Sequence, residues 1–122
     1  MSVRPIAERM VRHAAALVAA QARQRELALR IGANGGDLST SEVRDAAAGV
    51  ARELEAVAEC VAALEGEGVQ VKDVGEGLVD FPARHGGRDV LLCWRVGEPN
   101  VAYWHGVEEG FAGRRRLPFE GA

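Results

Sequence analysis

Two stretches of nearly equal length repeat apolar residues at alternating spacings of four and three, and this repeat constrains the fold more than any other feature. Such spacing places the repeated residues along one side of an α-helix, as in coiled coils. The repeated positions are Ile6, Met10, His13, Leu17, Ala20, Gln24, Leu27 and Ile31, and then Val43, Ala47, Val50, Leu54, Val57, Val61 and Leu64. A glycine-rich cluster at 32–37 tolerates positive φ and separates the stretches. The sequence therefore predicts an antiparallel helical hairpin over residues 5–66.

Local chemistry marks where the second predicted helix begins and ends. Ser39 and Glu42 have the spacing of a capping box, in which the hydroxyl and the carboxylate satisfy amides of the first turn. Leu38 and Val43 occupy the positions of a hydrophobic staple. Gly66 is placed to stop the helix at its other end. The second helix should therefore span about 26 residues, which matches the first.

The predicted hairpin leaves an apolar seam that a partner must cover. Two helices cannot enclose a core by themselves, and much of the apolar content is alanine, so one chain would bury a thin core. A second copy of the hairpin would complete a coiled-coil-like four-helix bundle. The alternative is that the β-region covers the seam. We expect a homodimer formed through the helical hairpin.

After Gly68 the pattern changes to short alternating segments separated by glycine-rich turns, which predicts an antiparallel β-meander and a C-terminal loop over 69–117. The predicted strands are 69–72, 78–81, 89–96 and 101–105. If Gly86 and Gly87 form a two-residue turn, His85 pairs with Arg88. Together with the hairpin, the meander predicts one α+β domain for the 122 residues.

The predicted register sorts the strand residues onto two faces, because successive side chains alternate. The predicted core face carries Val79, Phe81, Val90, Leu92, Trp94, Val96, Val101, Tyr103 and His105. The opposite face carries Leu78, Asp80, Leu91, Cys93, Arg95, Ala102 and Trp104. The first set is mainly apolar, so we expect it to form part of the core.

On the second predicted face, Asp80, Cys93 and Trp104 form one row and Arg95 lies in the next. A carboxylate, an indole and a guanidinium on one surface can bind a small planar or anionic ligand. The alternative is an Asp80–Arg95 salt bridge that stabilises the sheet, with Trp104 in contact with the helices. A ligand pocket between sheet and helices would draw on these residues.

His105 precedes Glu108 and Glu109 closely, which raises the question of a metal or acid–base role. The spacing is much less specific than a helical His-Glu-x-x-His motif, and the predicted register puts His105 and Asp80 on opposite faces. A structural histidine bonded to nearby backbone is the alternative. Cys93 lies mid-strand, where a thiol is usually inert packing. We therefore predict no metal and no cofactor, and we lean towards a protein that is not an enzyme.

Arg114 follows a loop of glycines around Phe111, at 110–113, that can accept an anion or simply cover the core. Arg114 also begins a run of three arginines that can hold a phosphate or keep the chain solvated. The net charge is −3 and the balance of charges is similar in both halves, which argues against a nucleic-acid partner on electrostatic grounds. Arg114 joins Asp80, Arg95, Trp104 and His105 as a candidate ligand-binding residue.

The cysteines and the hydropathy pattern indicate the compartment. Cys60 and Cys93 lie in segments of different character, without the spacing of a metal or redox pair, so reduced thiols are expected. No apolar run approaches the roughly 20 residues that span a bilayer, and the start lacks a signal-peptide core. We expect a cytoplasmic protein with no membrane partner.

Several strings in the β-half resemble one known family. They are Gly68-Val-Gln-Val-Lys-Asp73, Gly77-Leu-Val-Asp-Phe-Pro-Ala83, Leu92-Cys-Trp-Arg-Val-Gly-Glu-Pro99, Tyr103-Trp-His105 and Gly110-Phe-Ala-Gly-Arg114. They are similar to the domain of unknown function 2203 family, which the helical half resembles only in pattern. The resemblance implies a helical pair with a small sheet and carries no established activity. It directs attention to residues in the matching strings, namely Lys72, Asp80, Trp94, Glu98, His105 and Arg114.

Two functions follow as expectations. The first is a self-associating, non-enzymatic dimer with a binding surface on the meander. The second is a small-molecule-binding or enzymatic protein that uses Asp80, Arg95, Trp104, His105 and Arg114 in one pocket. Convergence of at least three of these side chains in a concave site would favour the second.

Overall fold

Two long helices followed by a five-stranded antiparallel sheet make up the protein, in an α+β arrangement that confirms the predicted fold class. The structure is a computed structural model that describes residues 2–34 and 40–119. The elements are α1 (Val3–Asn34), α2 (Thr40–Gly66), β1 (Gln70–Asp73), β2 (Leu78–His85), β3 (Arg88–Arg95), β4 (Tyr103–Gly106), a short 3₁₀ turn (Phe111–Gly113) and β5 (Arg115–Arg116). None of the described helices is long and apolar enough to cross a membrane.

Helix α1 continues through part of the cluster that was predicted as a turn. It ends at Asn34 and so includes Gly32, which the sequence placed outside the helix. The physical reason is that glycine tolerates positive φ without requiring it, so a glycine lowers helix stability but does not by itself end a helix. The predicted cap at Ser39 and the staple residue Leu38 lie outside the described residues.

Helix α2 ends in a Schellman motif centred on Gly68. The Val69 amide donates to the Leu64 carbonyl at 3.1 Å, and the Gly68 amide donates to the Glu65 carbonyl at 3.0 Å. Gly68 adopts φ 83, the left-handed conformation that this motif requires. The helix ends at Gly66 as predicted, and Gly68 is the residue that adopts the left-handed cap conformation. Leu64 and Val69 both enter the core, so the motif joins the helix to the sheet.

The β2–β3 hairpin has the predicted two-residue turn. Gly86 and Gly87 have φ of 60° and 77°, and positive φ at both central residues defines the turn type whose twist suits a tight hairpin. His85 pairs with Arg88, as predicted. The register follows from this turn, and Val79 pairs with Trp94 and Phe81 with Leu92 as predicted.

The β3–β4 register differs from the prediction by one residue. His105 pairs with Leu91, Trp104 with Leu92 and Tyr103 with Cys93, whereas the prediction paired Cys93 with Trp104. A one-residue shift moves every side chain of β4 to the other face. His105 and Tyr103 therefore share a face with Asp80, and Trp104 lies on the face that contacts the helices.

The core lies between one face of the sheet and the ends of the two helices. It combines Val3, Ala7 and Met10 from α1, Cys60 and Leu64 from α2, and Val69, Val79 and Trp94 from the sheet region, with Phe81, Val96 and Val101 packed against it. All of these sheet residues except Val69 are on the predicted core face. We call this the inner face, and the face turned away from the helices the outer face.

Candidate functional site

A small pocket opens on the outer face of the sheet, and we call it the outer-face pocket. Its volume is about 160 Å³. Strand residues Leu78, Asp80, Leu91, Cys93 and His105 line it, together with Lys72 from β1. The segment after β4 contributes Val107, Glu109, Gly110 and Phe111. The pocket is thus formed by the sheet and by the loop that folds back over it.

Three chemically active side chains meet in this pocket. Asp80, Cys93 and His105 are 1%, 0% and 3% exposed. Their potential ligand atoms all lie within 4.8 Å of one another. Asp80 and Cys93 are partners across β2 and β3, and His105 reaches them from β4 because of the observed register. Burial of this polar cluster calls for a specific set of hydrogen bonds.

The imidazole of His105 is held at both nitrogens. Nδ1 lies 2.8 Å from the carbonyl oxygen of Gly106, and Nε2 lies 3.0 Å from Asp80 Oδ2. A carbonyl oxygen can only accept, so Nδ1 carries a hydrogen and donates it. The bond from Nδ1 to the Gly106 carbonyl matches the sequence-based alternative of a histidine bonded to nearby backbone. The contact of Nε2 with the Asp80 carboxylate was not predicted.

One carboxylate oxygen of Asp80 lacks a hydrogen-bond partner among the described residues. Oδ2 contacts His105, whereas Oδ1 has no hydrogen-bond partner among the described residues. The Cys93 thiol lies beside this carboxylate, but a thiol is a weak donor. Leaving a buried charged oxygen unsatisfied costs roughly 1–3 kcal/mol or more. The site therefore retains capacity to bind a further donor or a cation.

The Cys93 thiol is protonated at neutral pH in the metal-free protein. Burial raises its pKa to about 11, Asp80 contributes in the same direction, and Arg114 opposes the rise. A thiol rather than a thiolate is a poor nucleophile, which disfavours a catalytic cysteine of the ordinary kind. Neither Cys93 nor Cys60 forms a disulfide.

Arg114 secures the loop that covers the pocket. Its Nη2 donates to both carboxylate oxygens of Glu98, at 2.8 and 3.0 Å, and its guanidinium lies 3.6 Å from the Tyr103 ring centroid. The same guanidinium lies 4.5 Å from the ring centroid of Phe111, and that of Arg95 lies 5.3 Å away. Cation–π contacts of this kind hold the aromatic ring at the pocket rim.

Glu109 braces the other side of that loop. Its Oε1 accepts from the Gly106 amide and its Oε2 accepts from Arg115, both at 2.8 Å. Both carboxylate oxygens are thus engaged in positioning the segment after β4. The acidic partner of His105 is therefore Asp80. The prediction that these two residues lie on opposite faces is wrong, because the β3–β4 register differs by one residue from the predicted register.

The predicted site residues separate into three places, and only two of the five, Asp80 and His105, line the outer-face pocket, so the expected convergence of at least three is not observed. Asp80 and His105 converge inside the outer-face pocket, while Arg95 and Arg114 flank Phe111 at its rim. Trp104 lies elsewhere, 4.7 Å from the Arg115 guanidinium and 5.1 Å from the Phe119 ring, in a second cavity of about 580 Å³. No residue of α1 or α2 lines either of these two cavities.

Sequence reasoning missed the role of Cys93 and the positioning roles of Glu98 and Phe111. Cys93 was interpreted as packing, although it was placed correctly beside Asp80. Glu98 accepts from the Arg95 amide at 2.8 Å and so shapes the β3–β4 connection itself. No local pattern reveals the roles of Glu98 and Phe111, because they act through contacts with Arg114 and Arg95, which are distant in sequence.

The fold and the site define an α+β protein in which a helical hairpin supports one face of a small antiparallel sheet, with a buried carboxylate–thiol–imidazole cluster on the other. The chain belongs to the DUF2203 family of uncharacterized conserved proteins, whose family model matches residues 1–117. Searches of curated proteins and of solved structures find no match. The match confirms the family resemblance that the sequence motifs of the β-half indicated.

Proposed function

We propose that this protein binds a small ligand in the outer-face pocket, through Asp80, Cys93 and His105. The observation that carries the proposal is the unpartnered Oδ1 of Asp80, a buried carboxylate oxygen that faces two further polar side chains. A purely structural ion pair would gain by satisfying both carboxylate oxygens. A bound ligand supplies the missing interaction.

The surroundings of the pocket support a binding role. The site combines buried polar groups with an apolar rim at Val107 and Phe111, a combination typical of ligand sites. Two ion pairs, Arg114–Glu98 and Arg115–Glu109, hold the covering loop in place. The volume of about 160 Å³ suits an ion or a compound of a few atoms.

Thermal denaturation tests this proposal directly. Wild-type protein, purified without chelator and first examined by native mass spectrometry, is heated with zinc chloride, sodium phosphate and short carboxylates in turn. A ligand at a hundred times its Kd stabilises the native state by about 2.7 kcal/mol. We expect at least one probe to raise the Tm of the wild type and to have no effect on Asp80→Asn.

The control for this experiment is Asp89→Asn, which alters a carboxylate with 71% side-chain exposure. It should respond to the same probe as the wild type does. Loss of stabilisation in both variants, or its survival in Asp80→Asn, would place binding elsewhere. No stabilisation by any probe, together with a protein that carries no extra mass, would refute a ligand role for the pocket.

We also propose self-association through the helical hairpin, as a second role. Exposed apolar side chains support it: Val18 and Leu29 on α1 are 65% and 69% exposed, and Val43 and Leu54 on α2 are 42% and 50% exposed. Within each helix the two positions are eleven residues apart and so lie on one side.

The predicted seam of α2 faces only partly towards α1. Buried Ala46 and Cys60 lie roughly 60° to 120° around the helix from Val43 and Leu54, at 3.6 residues per turn. A second hairpin packed on that line would cover the exposed positions and form a four-helix bundle in the predicted homodimer. The binding pocket lies on the opposite side of the sheet from the helices, so both roles are compatible.

A further inference from the structure

The donor atoms in the outer-face pocket differ in chemistry in a way that selects a ligand. Asp80 offers a carboxylate oxygen, Cys93 a sulfur and His105 an imidazole nitrogen, all buried and within 4.8 Å of one another. We infer that these three side chains hold one divalent transition-metal ion of the zinc class. The inference rests on the proposed function, since it names the ligand of the same pocket.

His105 is oriented as metal-binding histidines are. Its Nδ1 hydrogen donates to the Gly106 carbonyl at 2.8 Å, so the neutral ring presents an unprotonated Nε2 towards Asp80. Such a bond from the remote nitrogen to a carbonyl or carboxylate fixes the tautomer of most histidine ligands. Without a cation, Nε2 and Asp80 Oδ2 must share a proton to approach within 3.0 Å. A metal ion takes the place of that proton.

Asp80 and Cys93 complete a ligand set with a clear preference. Nitrogen and sulfur donors disfavour magnesium and calcium, which take oxygen ligands, and a mixed set of nitrogen, oxygen and sulfur suits zinc. The unpartnered Oδ1 of Asp80 supplies a free lone pair at the cluster. On binding, the thiol proton of Cys93 is released to solvent and the thiolate becomes a ligand.

The geometry requires only a modest adjustment. Zinc bonds of about 2.0 to 2.3 Å in tetrahedral geometry place ligand atoms roughly 3.3 to 3.7 Å apart. The widest separation in the cluster is within 4.8 Å, so side-chain rotations that move atoms by about an ångström complete the site. Three protein ligands leave a fourth position that faces the pocket. An open position of this kind distinguishes sites that act on a ligand from closed structural sites.

Cobalt(II) is the probe that tests the inference, because it occupies zinc sites and its absorption spectrum reports its ligands. Protein treated with chelator and dialysed is titrated with cobalt chloride under reducing conditions. We expect one ion per chain, the strong visible bands of a tetrahedral ion and a thiolate-to-cobalt charge-transfer band. Added zinc chloride should displace the cobalt and remove these bands.

Matched variants locate the bound ion. Cys93→Ser should lose the charge-transfer band, and Asp80→Asn should weaken cobalt binding by more than about a hundredfold, the upper end of the cost of losing an outer-shell partner. Cys60→Ser alters the other cysteine, which is buried in the helix–sheet core, and should keep the full spectrum. His85→Gln, which changes a histidine outside the cluster, should also keep it.

A measurement on the wild type keeps the test independent of whether the variants fold. Zinc should slow amide hydrogen exchange in the wild-type peptides that contain Asp80, Cys93 and His105, measured by mass spectrometry, and excess chelator should reverse the effect. Cobalt bands that persist in Cys93→Ser, or a wild type that binds neither metal, would overturn the metal inference. If a wild type that binds neither metal is still stabilised by another probe, and Asp80→Asn abolishes that stabilisation, the proposed ligand-binding function stands without the metal. If no probe stabilises it, the metal inference and the proposed function both fail.

Discussion

At the scale of single residues, the protein concentrates its unusual chemistry in one buried group of side chains. Asp80 and His105 are almost fully buried and bonded to each other, although ionisable groups are seldom buried without a specific partner. Removing one member of a buried pair costs about 3–5 kcal/mol when the other is left charged. Loss of either side chain alone would therefore destabilise the native state.

The thiol of Cys93 makes a pH-dependent contribution to stability in the metal-free protein. Its pKa is raised from 9.0 to about 11 by burial, so between those values the unfolded chain loses the proton first and the native state keeps it. Unfolding then becomes easier as pH rises, by roughly 1 kcal/mol per pH unit, whereas below pH 9 this thiol has no effect on the slope.

Urea unfolding in the presence of chelator, at several pH values from 8 to about 11, measures this effect. The difference in unfolding free energy between wild type and Cys93→Ser should fall as pH rises, because serine does not titrate while all other groups are common to both. A difference that stays constant across this range would contradict the burial of a protonated thiol.

At the scale of elements, the turns decide how the strands and helices meet. Gly77 precedes β2 with φ 67, and its carbonyl accepts from the Val96 amide at 3.2 Å. A Cβ there would lie 2.7 Å from Val11 Cγ2 and closer still to Val96 Cγ2. The absence of a side chain thus allows the β1–β2 connection to approach both α1 and the β3–β4 connection.

Gly77→Ala should therefore destabilise the protein by two mechanisms. Left-handed backbone costs a non-glycine residue about 1–2 kcal/mol, and overpacking costs about 1–3 kcal/mol more. Gly86→Ala is the matched control, because Gly86 has φ 60 and nothing within 4 Å of an added Cβ. Urea unfolding at pH 7 should show a clearly greater loss for Gly77→Ala. Equal losses would mean that the contact with α1 contributes nothing.

At the scale of the whole molecule, the helical hairpin is longer than the sheet it covers. Only the beginning of α1 and the end of α2 contribute to the core with the sheet. Farther along, the buried residues of the described helices are few, namely Ala14, Leu27 and Ala46. The remaining helical surface carries the exposed apolar positions on which the proposed dimer depends.

Leu54→Asp should dissociate that dimer. Leu54 is 50% exposed in the single chain, so an aspartate there can remain solvated in the monomer but would place a charge in the bundle interface. Light scattering should report twice the mass of one chain for the wild type and the mass of one chain for the variant.

Ala48→Asp is the control for this experiment, since Ala48 is exposed on α2 about 120° around the helix from Leu54. It should leave the dimer intact. A wild-type protein that scatters as a single chain at micromolar concentration, or a Leu54→Asp variant with undiminished mass, would end the four-helix proposal.

The sequence alone determined the two helices and four of the five strands, because their signals are local, whereas β5 was not predicted. The four-three repeats specified both helices, and Gly86-Gly87 specified the hairpin that pairs Val79 with Trp94 and Phe81 with Leu92. Asp80 and Cys93 could be placed side by side on the same evidence.

Only the tertiary structure decided which face His105 occupies, and hence that the site exists. The β3–β4 connection is held by contacts between distant segments: Arg114 with Glu98 and Arg4 with the Pro99 carbonyl at 2.6 Å. The number of residues in this connection sets the register of β4. A one-residue change in that register moves the His105 side chain from the predicted core face to the face that carries Asp80. Local patterns specify strands, but the register across an irregular loop depends on packing that forms when the whole chain folds.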